Sequence, residues 1–154
     1  MRWVSSSEVV SVSAELATLS GERIDVEDVA ALGMRYDNGM IGSLHCAYAT
    51  DAARDKVYLG LRGTEGWTEW ERNSDTLTLH SADPRWITAP TRVIQVQREA
   101  LPGYCGVDGL AALKAFVASI NGGPGYSSTD DAAQVLRILD AARLSAESGR
   151  RIEL

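Results

Sequence analysis

The sequence predicts an α+β domain: an open-faced, largely antiparallel β-sheet of about seven strands with two C-terminal helices packed on one face. Three observations carry this. Between Val9 and Arg98, apolar residues recur at every second position in short runs separated by turn residues. Beyond Leu101-Pro102-Gly103 the period lengthens to about 3.6 residues and stays there. Asp37-Asn38-Gly39 stands between two alternating runs, and Asn-Gly in that setting is the strongest short-range hairpin signal, because both residues tolerate positive φ.

The first strand spans Val9 to Leu16, where β-branched and small polar residues alternate in part, as expected of a strand with one covered face. Ser20-Gly21-Glu22-Arg23 interrupts it, and Val26 to Tyr36 resumes with Ala30, Leu32, Met34 and Tyr36 on one side. After the Asn-Gly turn, Met40 to Thr50 puts Met40, Gly42, Leu44, Cys46 and Tyr48 on one face, and Ile41, Ser43, His45, Ala47 and Ala49 on the other. Asp51 to Asp55 is a polar turn. Lys56 to Arg62 alternates again, and Gly63-Thr64-Glu65-Gly66 turns it into Trp67 to Glu71 as a second hairpin. Asn73-Ser74-Asp75 leads into a strand over Thr76 to His80, and a loop at Ala82 to Trp86 into a last long strand over Thr91 to Arg98. Such short connections favour antiparallel pairing.

In the C-terminal third, Val107, Leu110, Leu113, Val117 and Ile120 form one helical stripe, which Asn121-Gly122-Gly123-Pro124-Gly125 ends. Ser127-Ser128-Thr129-Asp130-Asp131 supplies hydroxyl caps and first-turn carboxylates for the next helix. Leu136, Leu139 and Leu144, with the intervening alanines, mark its buried side, Gly149 its left-handed cap, and Ile152 to Leu154 a short closing strand. Helices on one face leave the other face uncovered. With residues such as Val29, Ile41 and Ile94 there, that face is expected to meet a partner, most simply a second copy of the chain.

Composition narrows the function classes. The 154 residues suit one domain spanning 1–154, and 45% hydrophobic with 23% charged residues is the balance of a globular protein. A net charge of −6 disfavours nucleic acid and anionic membrane surfaces. Cys46 and Cys105 have no second pair at metal-ligand spacing, so reduced thiols in a cytoplasmic protein are expected. No apolar run has the length of a membrane span.

No self-sufficient active site is visible. His45 and His80 are the only histidines and stand apart from each other and from the cysteines; each reads first as a strand residue. Ser43 shares a strand face with His45, without an orienting carboxylate or an oxyanion hole in view. Trp67 and Trp70 fall on opposite faces and suit packing or an interface better than sugar stacking. Ligand contact is expected first from the Asp83-Pro84-Arg85-Trp86 loop and from the strand-to-helix junction at Tyr104. Arg85, Trp86, Tyr104 and His45 are thus the candidate substrate-binding residues, with no catalytic, cofactor-binding or metal residue assigned.

The stretch Val26 to Leu44, with its Asp-Asn-Gly hairpin, resembles two strands of the C-terminal domain of the glucose-fructose oxidoreductase / inositol dehydrogenase / rhizopine catabolism (Gfo/Idh/MocA) family. Gly63-Thr64-Glu65-Gly66 is similar to that domain's Gly-Thr-x-Gly turn. Phe116 with Ile120, Asp131 with Ala132, and Ser145 through Gly149 resemble its closing helices, and Ile152-Glu153-Leu154 its last strand. The resemblance covers Glu8 to Leu154. It implies an open-faced sheet that dimerises and forms one wall of a substrate site. It further implies a parent protein with a preceding Rossmann domain that binds NAD(P) and carries a Glu-Lys-Pro lysine. Met1-Arg2-Trp3-Val4 resembles the end of the family's Asp/His helix, which leads into the sheet domain. Neither Gly60 to Gly66 nor Gly103 to Gly109 has the G-x-G-x-x-G order of a dinucleotide site, so no cofactor is expected in this chain. The implied function is the substrate-binding and dimerisation domain of an oxidoreductase acting on a sugar, polyol or related small molecule, redox-inactive alone. A standalone scaffold, or an isomerase or cyclase using the same sheet, is the alternative reading.

Overall fold

The computed structural model describes residues 2–21, 23–48, 57–71, 74–95, 106–123 and 127–154. The chain divides into two compact units: Met1–Thr50 with Ser127–Leu154, and Asp51–Tyr126. Its class is the expected α+β, with antiparallel strand pairs throughout the described residues. The strands form two four-stranded sheets, one in each unit, where the sequence suggested a single sheet of about seven.

In the first unit, β1 (Val9–Ala17), β2 (Val29–Tyr36), β3 (Ile41–Ala47) and β8 (Ile152–Glu153) are ordered β3-β2-β1-β8. The Asn-Gly turn closes β2 onto β3 as expected. Tyr36 N–H donates to the Met40 carbonyl at 2.9 Å, and Gly39 adopts φ 85°. β2 begins later than its alternation suggests. The Asp28 carboxylate accepts from Leu19 N–H and Ser20 N–H, both at 2.8 Å, and Asp28 N–H reaches the Ala17 carbonyl. Residues before Val29 therefore serve the connecting loop instead of the ladder. Hydrogen bonds from the Ser20 side chain and these two amides hold the Asp28 carboxyl below the usual carboxylate range.

Helix α3 (Thr129–Ser148) covers one face of this sheet. Its Ala141, Ala142 and Ser145 are buried against a core of Val9, Val12, Ala14, Leu32 and Tyr36. The buried stripe is therefore alanine-rich, and Leu136, Leu139 and Leu144, expected inside, are exposed. Small residues let the helix axis approach the sheet closely, and Ser145 uses that closeness. β8 pairs with β1 only at Ser11 and Val12, so Ala14 N–H lies past its end. Ser145 Oγ accepts from Ala14 N–H at 3.0 Å and donates to the Arg150 carbonyl at 2.6 Å, so a side chain continues the ladder where the strand stops. Both ends of α3 are built as the sequence suggested. Ser128 and Asp131 form a reciprocal capping box, and Gly149 closes the helix in the left-handed conformation at φ 64°.

A short helix, α1 (Arg2–Ser5), is tied to both β1 and α3 by one guanidinium. Arg2 chelates Glu8 with contacts of 2.6 and 2.7 Å, and also reaches Asp131 at 3.5 Å. The hydrogen bond from Arg2 holds the Glu8 carboxyl low. Asp131 is held low first by the Ser128 amide and hydroxyl, then by Arg2. A depressed carboxyl contributes stability above its unfolded-state pKa, and that contribution is lost as pH falls through the folded value. The docking of α1 and the first turn of α3 is thus expected to loosen below about pH 4. Arg2→Met should flatten the part of this acid dependence that Arg2 supplies. Amide hydrogen exchange at Arg2–Glu8 and Ser128–Asp131, followed against pH in both proteins, checks this.

The second unit holds β4 (Tyr58–Gly63), β5 (Gly66–Glu71), β6 (Thr76–Ser81) and β7 (Thr91–Gln95), ordered β4-β5-β6-β7, followed by α2 (Gly106–Ile120). The final residues of the predicted Thr91–Arg98 strand, the Asp51–Asp55 turn, Cys105 and the candidate Tyr104 lie outside the described residues. No helix among the described residues is long and apolar enough to cross a membrane.

Candidate functional site

Registers in the second unit sort its side chains into two unlike faces. One face carries Leu59, Trp70, Leu77 and Ile94 in one cross-strand row, and Leu61, Thr68, Leu79 and Arg92 in the next. The opposite face is polar and aromatic. Arg62 pairs with Trp67, Trp67 with His80, and His80 with Thr91, so one row crosses all four strands at the end nearest the Gly63–Gly66 turn.

The members of this row touch in sequence. The Trp67 and His80 rings are stacked, with centroids 5.5 Å apart and planes 9° from parallel. Arg62 lies over the Trp67 ring, its Cζ 5.9 Å from the centroid. His80 Nδ1 and Thr91 Oγ1 lie 2.9 Å apart, which leaves Nε2 as the ring's other polar atom. The neighbouring row supplies a counter-charge: Arg62 Nη2 donates to Glu69 Oε1 at 2.7 Å. Tyr58 also hydrogen-bonds Glu69, and this bond, with smaller contributions from burial and the carboxylate's charge, raises the phenol above its ordinary pKa. Tyr58 reaches across because Gly60 presents no side chain; a Cβ there would sit 2.9 Å from the phenol oxygen. Beside the row lies an open cavity of about 320 Å³, lined by Arg62, Gly63, Thr64, Gly66, Trp67, His80 and Ala82. Its wall offers one guanidinium, one imidazole, an indole, a hydroxyl and the peptide groups of two glycines.

Of the described residues singled out from sequence, Arg85 and Trp86 lie in the second unit and His45 in the first. Arg85 and Trp86 lie in a single 3-10 turn, Pro84–Trp86, which Asp83 caps by accepting from Arg85 N–H at 2.8 Å. The Arg85 guanidinium folds back on the same carboxylate at 2.6 and 2.9 Å, lowering the Asp83 pKa, while the arginine itself stays exposed. Trp86 lies under Arg92, whose Cζ is 3.7 Å from the ring centroid. His45 is in the other unit, on the β3 face turned away from α3, in a row with Ala31 and Glu15. Ser43 shares that face in a row with Gly33 and Ser13. Among the described residues, no group of three or more His, Cys, Asp or Glu side chains is placed to hold a metal ion.

The Arg62–Trp67–His80–Thr91 row was missed by sequence reasoning, although a signal for it exists. Counting outward from Gly63-Thr64-Glu65-Gly66 pairs Arg62 with Trp67, and counting across the next turn pairs Trp67 with His80.

Comparison with known proteins finds similarity in sequence over the first part of the chain and in fold over nearly all of it. Residues 1–69 match the model of the GFO/IDH/MocA C-terminal domain. A D-apiose dehydrogenase of Paraburkholderia graminis is 27% identical over 141 residues, covering 83% of this chain and 35% of that protein. An oxidoreductase domain protein from Kribbella flavida shares the fold with a TM-score of 0.83 at 19% identity, over 99% of this chain and 46% of its own. A levoglucosan dehydrogenase, solved with NADH and L-sorbose, gives 0.80 at 22% identity, over 95% of this chain and 44% of its own. The chain spans about a third of the curated relative and under half of these solved ones. Residues 1–69 are thus similar in sequence to the GFO/IDH/MocA C-terminal domain, and nearly the full chain shares the fold of solved oxidoreductases.

Proposed function

We propose that this chain is the substrate-binding and dimerisation domain of an NAD(P)-dependent oxidoreductase acting on a sugar, polyol or related small molecule, and that it is redox-inactive alone. The observation that carries this reading is the family match over residues 1–69, which includes the whole β1-β2-β3 meander. The similarity to a D-apiose dehydrogenase supports a carbohydrate as the substrate class. In this reading Arg85, Trp86, Tyr104 and His45 contribute to the substrate wall in a cytoplasmic enzyme. A second copy covers the open sheet face, where Ile41 is 75% exposed.

The described residues do not suit a dinucleotide. A pyrophosphate needs backbone amides at a strand-to-helix turn, whereas the glycine turn Gly63–Gly66 joins two antiparallel strands. At α3, the Asp131 carboxylate and the Ser128 hydroxyl already occupy the helix start. In this reading the nicotinamide cofactor belongs to another part of the parent protein, where it would accept or supply the hydride.

Three measurements test the proposal. Calorimetric titration of the chain with NADH should show no micromolar binding, and sedimentation should give twice the 16.6 kDa monomer mass. Micromolar NADH affinity would overturn the redox-inactive reading, and a monomer at all concentrations would overturn the dimer. The native protein from its source cells should reduce NAD(P)+ with a sugar or polyol; turnover of sugars without nicotinamide would replace the oxidoreductase reading with an isomerase.

A further inference from the structure

We propose that the cavity beside the Arg62–Trp67–His80 row is a binding site for a small hydroxycarboxylate, a monoanionic sugar acid. This goes beyond the redox function proposed above and does not depend on it, because every residue involved lies in the second unit.

The Arg62 side chain is exposed; its guanidinium contacts Glu69 through Nη2 and also hydrogen-bonds the Tyr58 phenol. An exposed ion pair contributes little in water, whereas a guanidinium presents five donors in a fork that matches a carboxylate. A ligand carboxylate can therefore join or replace Glu69 at small cost.

The remainder of the wall sets what is attached to that carboxylate. Trp67, stacked on His80 and lying under Arg62, gives the cavity an apolar wall. Thr64, the His80 ring and the peptide groups at Gly63 and Gly66 add donors and acceptors suited to hydroxyl groups. The volume, about 320 Å³, is at the small-ligand end of the usual range for such sites. Charge excludes the heavier anions. A dianionic phosphate would meet one arginine, the adjacent Glu69 and a chain of net charge −6. Recognition of a single negative charge is thus local to Arg62.

The test uses the whole 154-residue chain, titrated with D-gluconate and, in parallel, with its neutral analogue D-glucitol, while the Trp67 indole and His80 imidazole signals are followed by NMR. Gluconate should shift both signals saturably, and glucitol should bind at least about tenfold more weakly, the loss expected when a charged hydrogen-bond partner is removed. Arg62→Gln should weaken gluconate binding by about the same factor. Glu69→Gln should tighten it, because the competing carboxylate is gone. Arg35→Gln, the same charge change in the other unit, should leave it unchanged. Equal binding of gluconate and glucitol, wild-type affinity in Arg62→Gln, an equal loss in Arg35→Gln, or no saturable shift would each overturn the proposal.

Discussion

Replacing Leu32 with alanine is expected to lower the free energy of unfolding by about 2–5 kcal/mol, a large part of the stability of an ordinary domain. The reason lies in how little else fills the core of the first unit. Its buried hydrophobic residues are Val9, Val12, Ala14, Leu32, Tyr36, Ala141 and Ala142, three of them alanines. Leu32 is 6% exposed and sits at the centre of a row, between Ala14 of β1 and Leu44 of β3. Ala14 beside it and Ala141 and Ala142 of α3 in the same core are too short to extend into the space a lost isobutyl group leaves, so the cavity stays open and its cost is added to the lost transfer energy. Urea unfolding of wild type and Leu32→Ala should show a lower midpoint at unchanged slope.

Leu44→Ala is the internal comparison. Leu44 belongs to the same row, but on the edge strand, where it is 47% exposed, so its truncation should cost about 1 kcal/mol or less. Equal losses at the two positions would mean that Leu44 is covered in solution. The concentration dependence of the Leu44→Ala midpoint separates a second copy from any other cover.

The parts of this fold that were legible in the sequence are those written in local chemistry. Asn38-Gly39 fixes its hairpin through the left-handed backbone of Gly39 and the Asn38 Oδ1 that accepts from Met40 N–H, and Ser128 with Asp131 fixes a helix start through two reciprocal hydrogen bonds. Gly149 marks a helix end for the same kind of reason. The parts that were not legible depend on residues far apart in sequence. That alanines and Ser145 of α3, not its leucines, face the sheet follows from how closely the helix approaches β1, which no helical periodicity encodes. The start of β2 is displaced because Asp28 spends its carboxylate on Leu19 and Ser20, a competition invisible to alternation. The candidate site shows the same division. The loop at Asp83 to Trp86 was recognised as a loop, but its arginine turned out to be held by its own cap. The Trp67–His80 stack needed the register of two consecutive hairpins before its members could be brought together.

That register gives the second large expectation. Gly66→Ala should destabilise the second unit by about 1–3 kcal/mol, the range for forcing an atom into filled space, and should separate the Trp67 and His80 rings. A Cβ at position 66 would collide with the carbonyl oxygen of His80 and lie within 3.2 Å of the His80 carbonyl carbon and of Ser81 Cα. All three are backbone atoms, so no side chain can rotate away; β5 must move from β6, or the end of the ladder must open. Gly66 pairs with Ser81, and the adjacent pair is Trp67 with His80, so the strain falls on the aromatic stack first. Gly63, across the same turn, makes the contrast. A Cβ there would meet nothing closer than the Gly66 carbonyl oxygen at 3.8 Å, an ordinary contact, so Gly63→Ala should keep both the fold and the stack. The upfield ring-current shifts of the His80 protons report the outcome directly. They should collapse toward free-imidazole values in Gly66→Ala and persist in Gly63→Ala. Because the stack forms one wall of the cavity beside Arg62, any ligand bound there should be lost with the first substitution and retained with the second; retention in both would separate the cavity from the stack that is taken to build it.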